Sequence, residues 1–528
     1  MRPRSTTARA LVLGVAAALS ATLAASPATA APHGTAASPD TAAESLGTHR
    51  VQALGWVRDT WRSFTAMTDP ATGMPADNIA GTLDPATRSR YTSPTNIGSY
   101  LWSAIVAERL GVIDRRELVR RTRQTLDSVG RLERHPASGQ FYNWYDPVTL
   151  TKLRTWPIDG STVYPFASSV DNAWMAAALM VVRTAVPEAR AQAQRLLDPM
   201  DFAFYYDPNG REPGVGLMRG GFWDEAPPGC SLPGNYPGEG PDVFYTCHTY
   251  GAFNSETRMI SYVAISLGQV PPEHYFAPWR TFPDTCDWGW QEQKPTGAWT
   301  EYSGVPVFQG HYTYRGLKFV PSWGGDMFEA YMPDMFVPEV RWGPRSWARQ
   351  HPVYVRGQIE HGLHEAGYGH WGFSPSSDPF GEYREYGVDI MGLDTPGYTS
   401  DRERTSVDVG FVGCREPQAP PAAFGDGVVT PHAVFLGLAY QPVASLVQLA
   451  KLRAQFDSYG PGGFYDAIAV RSGTVAQRYL ALDQGMIMGA LGNLLADDVL
   501  RDAFTRGGAE RLLRPVMAME DFGLPARQ

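Results

Sequence analysis

Beyond its first thirty residues the chain has no apolar run long enough to cross a bilayer, and it lacks several motifs that would fix a chemistry at once. It contains no G-x-S-x-G elbow, no G-x-x-x-x-G-K-[ST] phosphate loop and no H-E-x-x-H helix, which sets aside serine hydrolases of that type, P-loop nucleotide enzymes and zincins. Cysteine is scarce, at four in 528 residues, with no C-x-x-C pair for zinc. Basic charge is also in deficit: 45 Lys and Arg against 54 Asp and Glu give −9. No fixed repeat period marks a solenoid. The only clustered histidines lie in HGLHEAGYGH, where His361 and His364 are i, i+3. Hydrogen-bonding or surface roles outweigh a metal there, so no metal or organic cofactor is implied.

The N-terminus reads as an export signal. Arg2, Arg4 and Arg9 precede the apolar stretch Ala10–Leu23, and Ala28-Thr29-Ala30 is an A-x-A cleavage site. Secretion, with cleavage after Ala30 and no membrane insertion, is the expectation. Loss of those three arginines takes the net charge from −9 to −12, which disfavours nucleic acid and anionic surfaces and suits a neutral glycan partner. In an exported chain the four cysteines are expected to form two disulfides, in one of three possible connectivities. Cys230–Cys247, closing a short Pro/Gly loop, is favoured, which leaves Cys286–Cys414.

Residues 31–45 are Ala/Ser/Thr/Pro-rich and read as a disordered lead-in. From 46 to 528 no low-complexity linker divides the chain, so one domain is expected. Helix-like apolar spacing recurs near 45–67, 96–111, 116–133, 169–184, 187–198, 254–267, 326–336, 345–364, 431–439, 441–455, 477–495 and 498–506. Long loops rich in Gly, Pro, Trp and Tyr separate these stretches, and alternating strand patterns are few. A dozen helices of this kind predict an all-α fold, an (α/α)6 toroid whose inner ring is apolar on all faces, as in SSVDNAWMAAALMVV and ALDQGMIMGALGNLL.

What the sequence does have is acid in costly places. SWGGDMFEAYMP sets Glu329 among Trp323, Phe328, Tyr331 and Met332; Asp171 (SSVDNAWM), Glu256 (FNSETRMISY) and Asp483 (ALDQGMIMGAL) have similar settings. A carboxylate there must be hydrogen-bonded, paired or functional. Capping is a competing role: Ser168/Asp171 and Asp326/Glu329 have capping-box spacing, and Glu256 could sit at a helix's positive end. The roles are compatible, because a first-turn acid at the rim of a toroid faces the central cavity. With 15 Trp, 25 Tyr and 23 Phe to stack on sugar rings, such acids point to glycosidic bond cleavage. An apolar wall raises a carboxyl's pKa, as a general acid requires, and by local sequence Glu329 fits that part best. Arg258 suits keeping a neighbouring carboxylate ionised.

These motifs, with TSPTNIGSYLWSAIVAERLGVI, LERHPASGQFYNWYDPVTL, HWGFSPSSDP, VVTPHAVFLGLAYQP and GGFYDA, keep their order over about 400 residues. Together they resemble the glucoamylase-like glycoside hydrolases acting on β-1,2-glucans, namely the family 144 endo-β-1,2-glucanases and the C-terminal domain of cyclic β-1,2-glucan synthases. The resemblance implies an (α/α)6 barrel and a catalytic pair Glu256 and Glu329, with Asp171 lining the donor side. It also implies sugar contacts from Asn143, Trp144, Tyr145, Arg258 and Trp323, from Trp371, Ser374 and Asp378 on a loop over the cleft, and from Tyr465, Asp466, Asp483 and Gln484 near its floor. The chain departs from the pattern at Pro375 and Asp326, and in Gly220–Gly251 and Gly381–Pro421, which puts linkage specificity in doubt. The expectation is a monomeric endo-acting β-glucanase. Its rivals are a transglycosylase, a non-catalytic glycan-binding protein, and a polysaccharide lyase, which the acidic motifs disfavour.

Overall fold

Two helices set the character of the interior: α2 (Pro94–Arg109) and α12 (Ala481–Leu495) are buried on nearly every face. Ser93 caps α2, accepting from the Asn96 N–H at 3.2 Å, and Pro94 supplies a ready-made first turn. The two helices approach so closely that a Cβ on Gly492 would lie 2.4 Å from Val106 Cγ2, and the Trp102 indole donates to the Gly485 carbonyl at 2.9 Å.

The computed structural model describes residues 49–238, 240–283, 293–393, 424–506, 508–526 and 528. The signal, the lead-in and the Cys286–Cys414 pairing lie outside the described residues. All the described residues fall within one unit, Ala36–Gln528. None of their helices is long and apolar enough to cross a membrane.

The remaining helices are α1 (Arg50–Met67), α3 (Arg115–Val129), α4 (Ser169–Ala185), α5 (Arg190–Leu197), α6 (Arg258–Ser266), α7 (Met327–Tyr331), α8 (Glu339–Trp342), α9 (Trp347–Glu360), α10 (Pro431–Leu436), α11 (Pro442–Gln455), α13 (Val499–Thr505) and α14 (Ala509–Met519). Each stretch with helical spacing contains one. Among the boundaries that differ from expectation, two are instructive. The 326–336 stretch breaks after α7 into a 3₁₀ turn at Pro333–Met335, since Pro333 has no N–H to continue the ladder. In the 254–267 stretch the helix starts only at Arg258. Two helices fall outside the expected stretches: α8, a single turn too short to show a period, and α14, whose internal Pro515 argues against a helix.

Buried helices neighbour one another in series. α2 packs on α4 and α12, α4 on α6, α7 on α10, and α10 on α12. α3 instead buries one stripe (Leu118, Thr122, Leu126, Val129) and exposes Arg116, Arg120 and Arg123.

The all-α expectation needs correcting, because twenty strands in eight small sheets accompany the helices among the described residues. Most are two to four residues long, too short to alternate visibly, and the longer Thr296–Tyr302 is solvent-facing almost throughout. In the four-stranded sheet, Phe166–Ser168 pairs with Gly221–Trp223, then Val243–Thr246, then Ser231–Gly234, all antiparallel. The Cys230–Cys247 disulfide closes the mouth of the last hairpin. Phe166–Ser168 runs directly into α4, so this sheet fixes the segment carrying Asp171.

Candidate active site

Asp171, Glu256 and Glu329 come from three different helix starts and line one cavity of about 810 Å³. Ser168 caps α4, taking the Asp171 N–H at 3.3 Å, and Asp326 caps α7, taking the Glu329 N–H at 2.8 Å. Gly325, at φ 69°, turns the chain into that cap; a Cβ there would meet the Val388 carbonyl oxygen at 2.0 Å. Glu256 sits just ahead of α6, at the helix's positive end.

Glu256 and Glu329 are wired differently. Glu329 Oε2 accepts from the Ser255 hydroxyl at 2.6 Å and from the Glu256 main-chain N–H at 2.7 Å. Burial raises Glu329, but these two donors and Arg258 hold the rise to about 6. Glu256 Oε2 accepts from the Trp174 indole at 2.7 Å, and burial with the Glu329 charge lifts its carboxyl well above the ordinary range. The local-sequence expectation placed the more strongly raised acid at Glu329; the structure places it at Glu256, because Glu329 holds the anion-stabilising donors.

The Thr95 hydroxyl donates to Asp171 Oδ1 at 2.6 Å, and the Asn143 amide, turned with its nitrogen toward Asp171, donates to Oδ2 at 2.7 Å. Burial raises Asp171 against these donors. Tyr91, Trp144 and Trp156 pack together as an aromatic wall, with ring centroids 4.5–5.6 Å apart. Trp323 and Phe328 face the cavity beside Glu329.

Of the residues expected to meet sugar, Asn143, Trp144 and Trp323 line the cavity and the others do not. The Tyr145 hydroxyl turns inward to the Glu133 carbonyl at 2.5 Å, and Trp371 is core, 1% exposed. The Ser374 hydroxyl takes the Phe328 N–H at 3.1 Å, and Asp378 pairs with Arg384 at 2.5 Å. Tyr465 packs on Tyr479 with centroids 5.3 Å apart; Gln484 accepts from Ser63 and donates to the Phe464 carbonyl, both at 3.3 Å. Asp466 and Asp483 are buried together with His432. Apart from those two acids, the polar atoms recorded here are turned to neighbouring backbone or side chains.

Arg258 is likewise buried away from the cavity. It pairs with Glu339 at 2.7 and 3.0 Å, and it donates to the carbonyls of Ser255, Glu329 and Ala330 at 2.8–3.0 Å. The carboxylate it chiefly holds ionised is Glu339, which lies at about 2 with Arg258 and His351 offsetting burial. Its clamp on both acid-bearing segments makes it a positioning residue.

Several lining residues were not foreseen: Asp77, Thr95, Asn96, Trp156, Tyr250, Tyr383 and Glu385. Burial and the Glu329 charge push Glu385 up to about 7 although its side chain stays open to the cavity. Its setting, EYREYG, is charged, so a search for acids in apolar segments passes over it. The loop carrying it is anchored where Ser322–Trp323 pairs in parallel with Gly392–Leu393 and where the Val388 N–H reaches the Gly325 carbonyl at 3.0 Å.

Two buried side-chain clusters have metal-like composition among the described residues. Asp334, Glu339 and His351 are already neutralised by Arg258 and Arg501; His432, Asp466 and Asp483 are not paired in this way. His361, from the histidine cluster, is buried with its Nδ1 2.7 Å from Glu365 Oε2, the hydrogen-bonding role.

Comparison with known proteins finds glucoamylase-like relatives. Residues 248–507 match the Glycoamylase family ("Putative glucoamylase"), and residues 55–203 match a family described as a protein of unknown function. The chain is homologous to the cyclic beta-(1,2)-glucan synthase NdvB of Rhizobium meliloti (strain 1021), with 23% identity over 586 aligned residues. That alignment takes in 85% of this chain but only 18% of NdvB. Two solved structures share the fold. One is the endo-β-1,2-glucanase of Chitinophaga pinensis in complex with sophorotriose and glucose (TM-score 0.59, 16% identity, 90% of this chain and 98% of that one). The other is the endo-β-1,2-glucanase of Talaromyces funiculosus with sophorose (TM-score 0.59, 12% identity, 91% of each). The resemblance drawn from the ordered motifs is therefore to the proteins that whole-chain comparison also finds.

Proposed function

We propose that the chain is a secreted glycoside hydrolase that cleaves β-1,2-glucan internally, with Glu256 as general acid and Glu329 as the ionised partner that activates water or attacks the sugar. The observation that carries this reading is the asymmetric wiring of the pair. Two donors on one oxygen favour the anion of Glu329, while burial beside that anion favours the protonated form of Glu256. A proton held at Glu256 is what the leaving glycosidic oxygen needs, and a neighbouring anion is what the forming oxocarbenium-like centre needs. Asp171, Asn143 and the Tyr91–Trp144–Trp156 wall supply hydrogen bonds and stacking for flanking sugar units. The names of the fold neighbours, endo-β-1,2-glucanases in complex with sophoro-oligosaccharides, are what favour this linkage over other glucans.

In this reading α2, α4, α6, α7, α10 and α12 are the inner ring of an (α/α)6 toroid, residues 46–528 are one catalytic domain, and the mature chain acts as a monomer. The test is incubation of the mature protein with linear and cyclic β-1,2-glucan and a panel of other glucans, with products resolved by chromatography. Short β-1,2-linked oligosaccharides, abolished by Glu256→Gln and by Glu329→Gln, are expected. Cleavage of a different polymer would overturn the linkage, and cleavage surviving both variants would overturn the pair. Binding without cleavage in the parent would move the reading to a glycan-binding protein.

A further inference from the structure

Next to the cavity-lining residue Leu482, three buried side chains from separate segments converge, each with one polar atom left over. His432 lies in the first turn of α10, Asp466 follows the short strand Gly463–Phe464, and Asp483 lies in the first turn of α12. They are 1%, 2% and 2% exposed, and each offers a ligand atom within 4.8 Å of the other two. With both acids ionised, His432 Nδ1, Asp466 Oδ1 and Asp483 Oδ2 have no hydrogen-bond partner; a proton on one carboxyl would instead bridge Asp466 and Asp483. The other face of each group is anchored where a bond is recorded: His432 Nε2 lies 3.4 Å from the Thr430 hydroxyl, and Asp466 Oδ2 accepts the Ser377 N–H at 2.7 Å.

We propose that His432, Asp466 and Asp483 form a binding site for a first-row divalent cation beside the cavity. His432 Nδ1 faces Asp483 Oδ2 at 3.6 Å; with Nε2–H on Thr430 that lone pair is free to ligate, whereas the other tautomer points an Nδ1–H at Asp483. A bound cation selects the first arrangement, because it takes the imidazole and carboxylate lone pairs at once. Neutral imidazole is the form that ligates metal. Two carboxylates and one imidazole form a mixed oxygen and nitrogen set suited to Zn²⁺ or Mn²⁺ rather than to Ca²⁺, which takes oxygen ligands. Bonds of about 2.0–2.2 Å to zinc are reached by drawing the three atoms inward. The remaining positions go to water or backbone oxygen.

The alternative occupant is a proton shared by the two carboxyls, and Asp483, lifted by burial and by Asp466, is able to hold one. A cation does more: it ties together three segments, one of which begins the helix that presents Leu482 to the cavity. The role is structural and independent of whether the cavity hydrolyses glucan. No metal spacing is visible in the sequence because each segment contributes a single ligand.

The full mature chain, stripped with EDTA and dialysed against Zn²⁺ or Mn²⁺, is assayed for retained metal by mass spectrometry and for its unfolding temperature. The expected result is one ion per chain and a raised unfolding temperature. Affinity should fall by roughly tenfold or more in His432→Ala and Asp483→Asn, as loss of a ligand requires, and remain unchanged in the exposed control His364→Ala. Should the ligand variants not fold, Co²⁺ added to the stripped parent supplies the second readout, visible absorption of a cobalt–imidazole site. Absence of stoichiometric metal in the parent, or retention undiminished in a folded His432→Ala, overturns the proposal. So does a protonated-carboxyl infrared band from metal-treated parent that is lost in Asp483→Asn.

Discussion

Removing the Ser255 hydroxyl should move the acid limb of the pH–rate profile upward by about one unit. Ser255 gives Glu329 one of its two strong hydrogen bonds, at 2.6 Å, the other coming from the Glu256 N–H at 2.7 Å. A hydrogen bond to a charged group contributes about 1.5–3 kcal/mol. In Ser255→Ala the main-chain donor remains and cavity water replaces part of the loss, leaving about 1.4 kcal/mol, which is about one pKa unit. The hydroxyl stabilises the ionised form, so its loss raises the pKa of Glu329 from about 6 toward about 7. A base works only when ionised. The variant should therefore lose activity on the acid side and recover most of it on the alkaline side, where Glu329 is ionised in both proteins. The assay is kcat/KM on β-1,2-glucan oligosaccharides across pH for parent and variant, read by release of reducing ends. An acid limb that stays in place, or moves down, would show that Glu329 is not the group ionising there and would refute the role given to it. A uniform loss at every pH would mean that Ser255 matters only for structure.

Other outcomes follow from the same contacts. Glu329→Gln should stabilise the fold near neutral pH by about 2 kcal/mol, because a folded-state pKa of about 6 against 4.5 makes ionisation costly. The stability contributed by the protonated form is fully present below about 4.5 and lost as pH rises through about 6. The variant's advantage in urea melts should thus vanish near pH 4, and an equal gain at pH 4 and 7.5 would contradict the argument. Arg258→Ala leaves Glu339 buried without its main partner and should cost about 3–5 kcal/mol in chemical denaturation; a loss below about 1 kcal/mol would mean that Tyr262 and His351 suffice. Gly325→Ala sets a Cβ against the Val388 carbonyl and strains a left-handed turn, so the unfolding temperature and activity should fall together. Activity lost with full stability would place the strain in the Asp326 cap alone.

How far the site could be read in the sequence depended on what surrounds each residue. Asp171, Glu256 and Glu329 stood out because apolar neighbours make an acid expensive, and all three line the same cavity. Glu385 and Asp77 also line it, but charged or polar neighbours hid them. Tyr145 and Trp371 failed in the opposite way. Aromatic residues lie next to them in sequence, yet in irregular backbone no 3.6- or 2-residue period says which ring faces the cavity, and both turned to the core. The helices were readable because burial on one or all faces leaves a period; two- and three-residue strands leave none.

The two capping motifs show how one acid can serve fold and chemistry together. In a full capping box the N3 side chain turns back to the cap residue's own N–H. Here the cap half is present, with Ser168 and Asp326 each holding the N–H of the acid three residues on. The carboxylates go elsewhere: Asp171 to Thr95 and Asn143, Glu329 to Ser255 and the Glu256 N–H. The backbone of each acid is thus fixed by the helix start while its side chain is released into the cavity and oriented from a different segment. Substituting the side chain alone should leave the helix start intact, so Asp171→Asn and Glu329→Gln test chemistry, whereas Ser168→Ala and Asp326→Ala test the scaffold. Loss of a cap typically costs about 1 kcal/mol and acts on stability first. If Asp326→Ala lowered catalysis with no loss of stability, Asp326 would belong to the chemistry as well as to the helix.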